Sequence, residues 1–477
     1  MENAKQRSSL KKILRNIFLI AVFLIFLIYT ILNIVFWHKG MPERYIKYEI
    51  LENGTVEIEQ YSGPFFLLNI PDTIEGKPVT SIGDQIFEES RFEDGKIVDT
   101  KHYVMKRFVA AVRLPDTVEE IHFAAFEGCK NLRTINIPSK LRYTGWNILA
   151  GTKVRELVFP EGITEIGCGY DYDLCYDKCH ESFGNMQYLS KVVFPESLKK
   201  IGNNTFSYCP RLKEVTFPDS IEEMGYGAFQ NSGLTEANIP KSLVNNSGRI
   251  FIGTPFEEAL AEKTTGDFII FNDVLLYMYI GDDENVVIPD GIESICDRAF
   301  CTGKSIKTVE IPESVRYINS GFDYSFVESL VIPDTVDTES YMSFSDCFDL
   351  KEIVLPEKMT KIPRSAFYNC VSLESIQLPK NTAVVESQAF CHCHALENII
   401  IPESVEEIGS SAFSGCSALK KVIIPESVKE IGNNAFDRCS SLEEVVIEGS
   451  PLLGEDVFKD CPALEEKSGK EDITAHQ

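Results

Sequence analysis

From residue 71 onward the chain repeats one short phrase, and the length of that phrase constrains the fold more than any other feature. An apolar residue followed by proline recurs with the prolines at 71, 115, 138, 160, 195, 218, 240, 289, 312, 333, 356, 379, 402 and 425, mostly 21–23 residues apart. Residues 401–436 read IPESVEEIGSSAFSGCSALKKVIIPESVKEIGNNAF. Pro402-Glu403-Ser404-Val405 returns as Pro425-Glu426-Ser427-Val428, Ile408-Gly409 as Ile431-Gly432, and Ala412-Phe413 as Ala435-Phe436. The longer spacings are one or two copies carrying inserts, and a further 23 residues reaches Glu448 in a degenerate last copy. A unit this short cannot bury its own apolar face, so its stability must come from stacking on its neighbours.

Each copy has a local physical reading. In LKKVIIP, strand alternation turns Leu419, Val422 and Ile424 inward and Lys421 and Ile423 outward. Pro425 ends the strand because it has no N–H for the next ladder bond. Ser427 suits the turn that follows, and Gly432 suits a position needing backbone freedom. Phe436 returns to the interior. The expected fold is a β-rich α+β repeat solenoid: a parallel β-sheet of about 14–16 coils of about 23 residues, preceded by one transmembrane helix. At a strand spacing near 4.8 Å such a stack spans roughly 65–80 Å.

The string I-P-x-S-V-x-x-I-G-x-x-A-F-x-x-C-x-x-L resembles the leucine-rich repeat of BspA-type bacterial surface proteins, over about residues 45–464. The segment YEILENGTVEIEQYSG, with Asn53-Gly54 as a hairpin turn, resembles the N-terminal cap of that family. The resemblance implies a curved leucine-rich-repeat solenoid, cell-surface display and a role in adhesion or in binding host and matrix proteins; it does not imply catalysis. LEEKSGKEDITAHQ shows no wall-sorting motif, so the anchor is expected at the N-terminus.

The first residues are a different material. MENAKQRSSLKKILRN carries Lys5, Arg7, Lys11, Lys12 and Arg15 against Glu2, and residues 17–37 then run without a charge. Twenty-one helical residues cover a hydrocarbon core of about 30 Å. The basic flank places residues 1–16 in the cytoplasm, 17–37 in the plasma membrane as a single-pass signal-anchor, and the repeats outside. A cleaved signal peptide is the rival reading, although LNIVFWHKGMP offers no small-x-small exit. Residues 38–64 then form a linker and β cap, and 65–464 the solenoid, with inserts near 88–108, 168–180 and 241–285. Residues 465–477 form a polar tail. The first insert reads as charged and irregular. The third reads as a hairpin around Asn272-Asp273 that braces two half-solenoids or forms a ledge.

Net charge is −26, and residues 40–477 hold 40 basic against 71 acidic side chains. Without a clustered basic face, nucleic acid is excluded as a partner. Eight of the 14 cysteines occupy one slot, three after the repeat's aromatic: Cys129, Cys209, Cys347, Cys370, Cys393, Cys416, Cys439 and Cys461. That slot reads as a buried packing column rather than a row of nucleophiles. Cys168, Cys175, Cys179 and His180 leave three readings open: a zinc clip, a disulfide or no bond. Cys391-His392-Cys393-His394 looks metal-like, yet adjacent side chains point apart. The chain holds no H-E-x-x-H, G-x-S-x-G, P-loop or G-x-G-x-x-G. No enzyme, metal or cofactor is therefore expected.

Two outer columns follow from the register. The outward strand position in the C-terminal copies reads Val331, Val354, Gln377, Ile400, Ile423 and Val446. On a concave face such an apolar stripe is the candidate surface for a protein or glycan ligand. The competing account is strand propensity alone, since β-branched residues suit exposed strands. The residue after the proline is acidic in eleven of fourteen copies, which reads as a solvated edge or a site for basic partners. The expected function is membrane-anchored surface binding or adhesion; the alternative is a structural or spacer protein of the cell envelope.

Overall fold

The structure is a computed structural model that describes residues 2–93, 96–102, 104–167, 182–240, 242–243, 248–301 and 306–464. The chain divides into two compact units. The first comprises Met1–Ser220, Gly227–Asn238 and Phe251–Phe256; the second comprises Ile221–Tyr226, Ile239–Ile250 and Glu257–Gln477. Each is a parallel β-solenoid built from the same coil, about 16 turns of roughly 23 residues in all.

One coil of the second unit shows how the phrase folds. Strand Lys421–Ile424 alternates as expected, with Val422 and Ile424 buried and Lys421 and Ile423 outward, and Pro425 ends it. It pairs in parallel with strand Glu444–Ile447, and Asn398 of the preceding strand lies beside Lys421. A second parallel ladder was not anticipated. Glu430–Ile431 pairs with Glu407–Ile408 on one side and Leu452–Leu453 on the other. Two-residue strands carry no readable alternation, so only neighbouring coils reveal them.

A third ladder joins the coils through turns. The N–H groups of Ser411, Phe413 and Gly415 donate to the carbonyls of Asn433, Ala435 and Asp437 in the next coil, at 2.7–2.9 Å. To aim alternate amides the same way, the backbone turns left-handed two residues before and two after the aromatic. Ser411 (φ 55°), Gly415 (φ 76°), Asn434 (φ 57°) and Arg438 (φ 56°) all lie there. This accounts for the frequency of Asn, Ser and Gly at these positions. Gly432 corrects its expected role. Its φ is not positive, and a Cβ there would sit 2.4 Å from the Ser410 backbone nitrogen. The glycine provides close approach between coils, not backbone freedom.

The aromatic of each coil stacks on the next. In the second unit Phe344, Phe367, Phe390, Phe413 and Phe436 follow one another at 5.1–5.4 Å with interplanar angles of 5–10°. The first unit has a shorter stack, Phe183, Phe206, Phe229 and Phe251, at 5.4–6.2 Å. Leu149 stands in the aromatic slot one coil earlier and is buried.

Each unit contains a hairpin that leads into a run of coils. In the first, Ile46–Ile50 pairs antiparallel with Val56–Tyr61, which then pairs in parallel with Lys77–Ile82. In the second, Phe268–Phe271 pairs antiparallel with Leu275–Tyr279, which pairs in parallel with Ser294–Ile295. The hairpin expected at Asn272-Asp273 is present, and both residues are left-handed (φ 53° and 63°). The third insert also holds a helix, Pro255–Lys263, whose Glu257 is buried. Glu257 Oε1 accepts from Arg249 Nε at 3.0 Å and from the Tyr277 hydroxyl at 2.8 Å. The first insert is not irregular. Glu88–Glu93 and Lys96–His102 form an antiparallel hairpin, followed by a short 3₁₀ helix over Val104–Phe108.

The N-terminal helix runs Glu2–Lys39, and its apolar part, Arg15–Lys39, is long enough to cross a bilayer. Its last turns pack on the first coil of the first unit. Asn33 is fully buried, and its Oδ1 accepts the Phe66 N–H at 2.8 Å. Asn69 Nδ2 donates to the Trp37 carbonyl at 3.0 Å, and the Tyr29 hydroxyl donates to the Pro64 carbonyl. Phe36 lies 4.9 Å from Phe65, centroid to centroid.

Candidate binding face

The outer strand face of the second unit is made of three columns, each contributing one residue per coil. Burial alternates exposed–buried–exposed in Asn285–Val287, Thr308–Glu310, Glu352–Val354, Ser375–Gln377 and Asn398–Ile400. The last residue of each of these strands belongs to the outward column anticipated from the register. The ladder places Val331 beside Val354, Gln377 beside Ile400, and Ile423 beside Val446. Ile400 is the most exposed of them, at 80%, whereas Val446 is half-buried. The strand ladder breaks between Glu352–Val354 and Ser375–Gln377. The coils stay joined there by the Glu374 N–H, which donates to the Lys351 carbonyl at 3.2 Å. The six residues therefore fall into a group of two and a group of four. Val287, at the start of the same face, is exposed at 61%.

Two residues earlier along each strand, the outward positions are polar: Asn285, Thr308, Ser329, Glu352, Ser375, Asn398 and Lys421. Before these comes a column of opposite charges. Lys351 pairs with Glu328 at 2.6 Å, Lys420 with Glu397 at 2.8 Å, and Lys307 with Glu284. The Lys351 ammonium holds the Glu328 carboxyl below its ordinary range. Exposed pairs of this kind add little stability. They leave the apolar column bordered by charges that already have partners. Sequence reading missed this charge column, because its pairs are 23 residues apart and meet only once the coils stack.

The acidic column after the proline is in part structural. Asp334 Oδ1 accepts the Glu357 N–H at 3.0 Å, and Glu161 Oε1 accepts the Glu196 N–H at 3.1 Å. In both cases the carboxylate satisfies a backbone donor of the next coil that the proline step leaves without a strand partner.

The cysteine column is packing, as expected, and also hydrogen bonding, which was not. All eight side chains are buried. The thiols of Cys370, Cys393, Cys416 and Cys439 donate to the carbonyls of Phe344, Phe367, Phe390 and Phe413 in the preceding coil, at 3.0–3.2 Å. Burial raises the pKa of Cys370, Cys393 and Cys416. A thiol held protonated and engaged as a donor is a poor nucleophile. In the Cys-His-Cys-His run, Cys393 belongs to this column and Cys391 is buried. His394 Nδ1 lies 2.8 Å from the Gly415 carbonyl, and the two imidazole centroids are 5.6 Å apart. Among the described residues no three His, Cys, Asp or Glu side chains converge to hold a metal. Cys168, Cys175, Cys179 and His180 lie outside the described residues.

Sequence reading also missed two buried carboxyls in the second unit. Burial raises Asp323 to about 8 and Asp297 to about 7. Each accepts a backbone N–H of the following coil, Asp323 from Ser345 at 2.8 Å and Asp297 from Ser320 at 3.0 Å. The neighbouring Arg298 is clasped between two rings, 4.6 Å from Tyr226 and 4.4 Å from Tyr324. It also donates to the Tyr226 hydroxyl at 2.7 Å.

Coil length, the aromatic–cysteine spacing and the proline step agree with a known repeat family. The BspA type leucine rich repeat region, in six copies, matches residues 96–172, 178–264, 276–397 and 360–475. The chain belongs to this family. As a BspA-type repeat protein it is similar to several solved bacterial structures. A leucine-rich repeat protein from Bacteroides ovatus is 22% identical, with 89% of this chain and 93% of that one covered and a TM-score of 0.31. A leucine rich cell surface protein from Faecalibacterium prausnitzii is 20% identical (86% and 95% covered, TM-score 0.29). The pneumococcal vaccine antigen PcpA is 18% identical (87% and 98% covered, TM-score 0.34). Comparison with curated proteins gives no match. Membership of the BspA-type family rests on the repeat pattern, not on these structures.

Proposed function

We propose that this BspA-type protein is anchored in the plasma membrane by its N-terminal helix, with the repeats outside, and that it binds a protein or glycan partner through the strand face of its second unit. The observation that carries the reading is the exposed column of Val331, Val354, Ile400 and Ile423, bordered by matched Glu–Lys pairs. Burying one such side chain contributes roughly 1.5–3 kcal/mol. The paired charges beside it need not be stripped of a protein partner. An apolar column of this kind favours a protein over a glycan. The spacer reading takes support from strand propensity, which by itself places β-branched residues on exposed strands.

The two readings separate on one variant. Val354→Glu combined with Ile400→Glu leaves the buried face untouched, so the fold should persist by circular dichroism. Attachment of residues 41–465 to surface extracts should drop at least about tenfold, a loss of roughly 1.4 kcal/mol or more. Unchanged attachment with an intact fold would leave the spacer reading standing. For topology, protease added to intact cells should digest the repeats, and full protection would overturn the outside assignment.

A further inference from the structure

The apolar segment is not uniform. Tyr29, Asn33, Phe36 and Trp37 share one side of the helix, and that side is spoken for. Tyr29 lies 5.8 Å from the Phe66 ring, centroid to centroid, and Asn33 Oδ1 accepts the Phe66 N–H. The strand served in this way, Leu67–Asn69, is the edge of the three-stranded ladder it forms with Ala111–Arg113 and Thr134–Ile135. An open edge invites pairing with other chains. Here the helix covers it, using the polar residues that otherwise weaken an apolar span. The opposite side of the same turns stays apolar and exposed at Ile31, Leu32, Ile34 and Val35. It continues the all-round apolar surface of residues 17–28 without a break.

We infer that the outer end of this helix lies in the bilayer with the first coil already docked on it, so that Pro64–Phe66 sits in the interfacial zone of the outer leaflet and the occupant of the exposed apolar side is lipid. The inference rests on the anchor reading above. Residues 29–37 cover about 13 Å of helix. Each polar interfacial zone is only about 6 Å deep. A coil clamped along that whole length therefore cannot stand clear of the membrane. The charges are arranged to match. The Trp37–Lys39 end, where the helix leaves the coil, opens on a polar cleft lined by Lys39, Asp72, Arg113 and Asp116. At the deeper end the coil contributes Pro64, Phe65 and Phe66. Tyr29 stands at this level against Phe66, and tyrosine is a usual resident of a membrane interface.

The test uses the full chain in vesicles, with lipids brominated near the headgroup end of the acyl chain as quenchers. The chain has two tryptophans, Trp37 and Trp146. Trp146→Phe isolates Trp37. Adding Trp37→Phe and Phe66→Trp moves the single reporter onto the first coil, and circular dichroism checks that both variants fold. Loss of emission at both positions is the expected result. Quenching at Trp37 but not at position 66 would overturn the inference while leaving the anchor intact. Quenching at neither would remove the anchor reading as well. In the position-66 background, Asn33→Leu should abolish the quenching while keeping the helix apolar. Persistent quenching there would remove Asn33 from its docking role.

Discussion

The two units begin with the same device built from different residues. In the first, Tyr61 is buried at the end of the second hairpin strand; its N–H donates to the Ile86 carbonyl and its hydroxyl accepts the Phe65 N–H at 3.2 Å. In the second, Tyr279 holds the same place; its N–H donates to the Ala299 carbonyl and its hydroxyl accepts the Asp283 N–H at 3.0 Å. A glycine follows two residues after each tyrosine, and a Cβ on Gly63 or Gly281 would meet the phenolic oxygen at 2.3 or 2.6 Å. Each tyrosine ring then packs on the first aromatic of its array, Phe87 or Phe300. A cap is what an array needs where it starts, because the outer ladder of the first coil has no neighbour to pair with. The second unit carries its own, so the same tyrosine–glycine device serves at two places in the chain.

The largest effect should come from the caps. Tyr279→Ala removes a fully buried ring and should cost about 3–5 kcal/mol, in the second unit alone. In denaturant the chain should then show two transitions, with only one displaced, and Tyr61→Ala should displace the other. If either substitution moves both transitions equally, the units do not start independently. The fragment 221–477, which retains Tyr226 over Arg298 and Arg249 beside Glu257, should reproduce the second transition on its own.

A smaller difference between the units should appear on titration. Asp323 and Asp297 are raised in the folded second unit, so between the ordinary carboxylate range and pH 7–8 the native state holds protons that the unfolded chain has released. Their contribution is therefore fully present below about pH 4 and is lost as pH rises through 7–8. The second transition should weaken steadily as pH rises from 5 to 8. Asp323→Asn should flatten that slope, and an unchanged slope would mean that other groups set it.

The smallest effect tests the cysteine column, which is denser in the second unit. Cys416→Ser keeps a donor for the Phe390 carbonyl and should cost only about 1 kcal/mol by thermal denaturation. Cys416→Ala loses the donor and leaves a void, so it should cost more. A serine variant worse than the alanine would show that apolar packing, not hydrogen bonding, governs the slot.

Much of this architecture was legible in the sequence, because a 23-residue period with one proline and one aromatic per copy admits few folds. Leu419, Val422 and Ile424 point inward, as strand alternation required. The parts that were not legible depend on contacts between copies. The Glu430–Ile431 ladder is too short to show a pattern, and the role of Gly432 depends on where the Ser410 nitrogen lies. The hairpin over 88–102 was hidden because strongly charged strands do not alternate clearly. The candidate face was half legible. Its apolar residues follow from the register, but the Glu–Lys border and the break after Val354 do not. The tyrosine caps left a signal in the form of Tyr-x-Gly after a hairpin turn, present in both segments and recognisable only once the two were compared.

Because Ser411, Phe413 and Gly415 donate to the same three relative positions as Asn434, Phe436 and Arg438 do in the next copy, the joints along this regular run are interchangeable. Excising or duplicating a whole 23-residue stretch inside the regular run leaves each remaining joint chemically the same and shifts only the distance between the ends. The length of such a protein is thus a nearly free variable for evolution, adjustable in steps of one coil without redesigning a core.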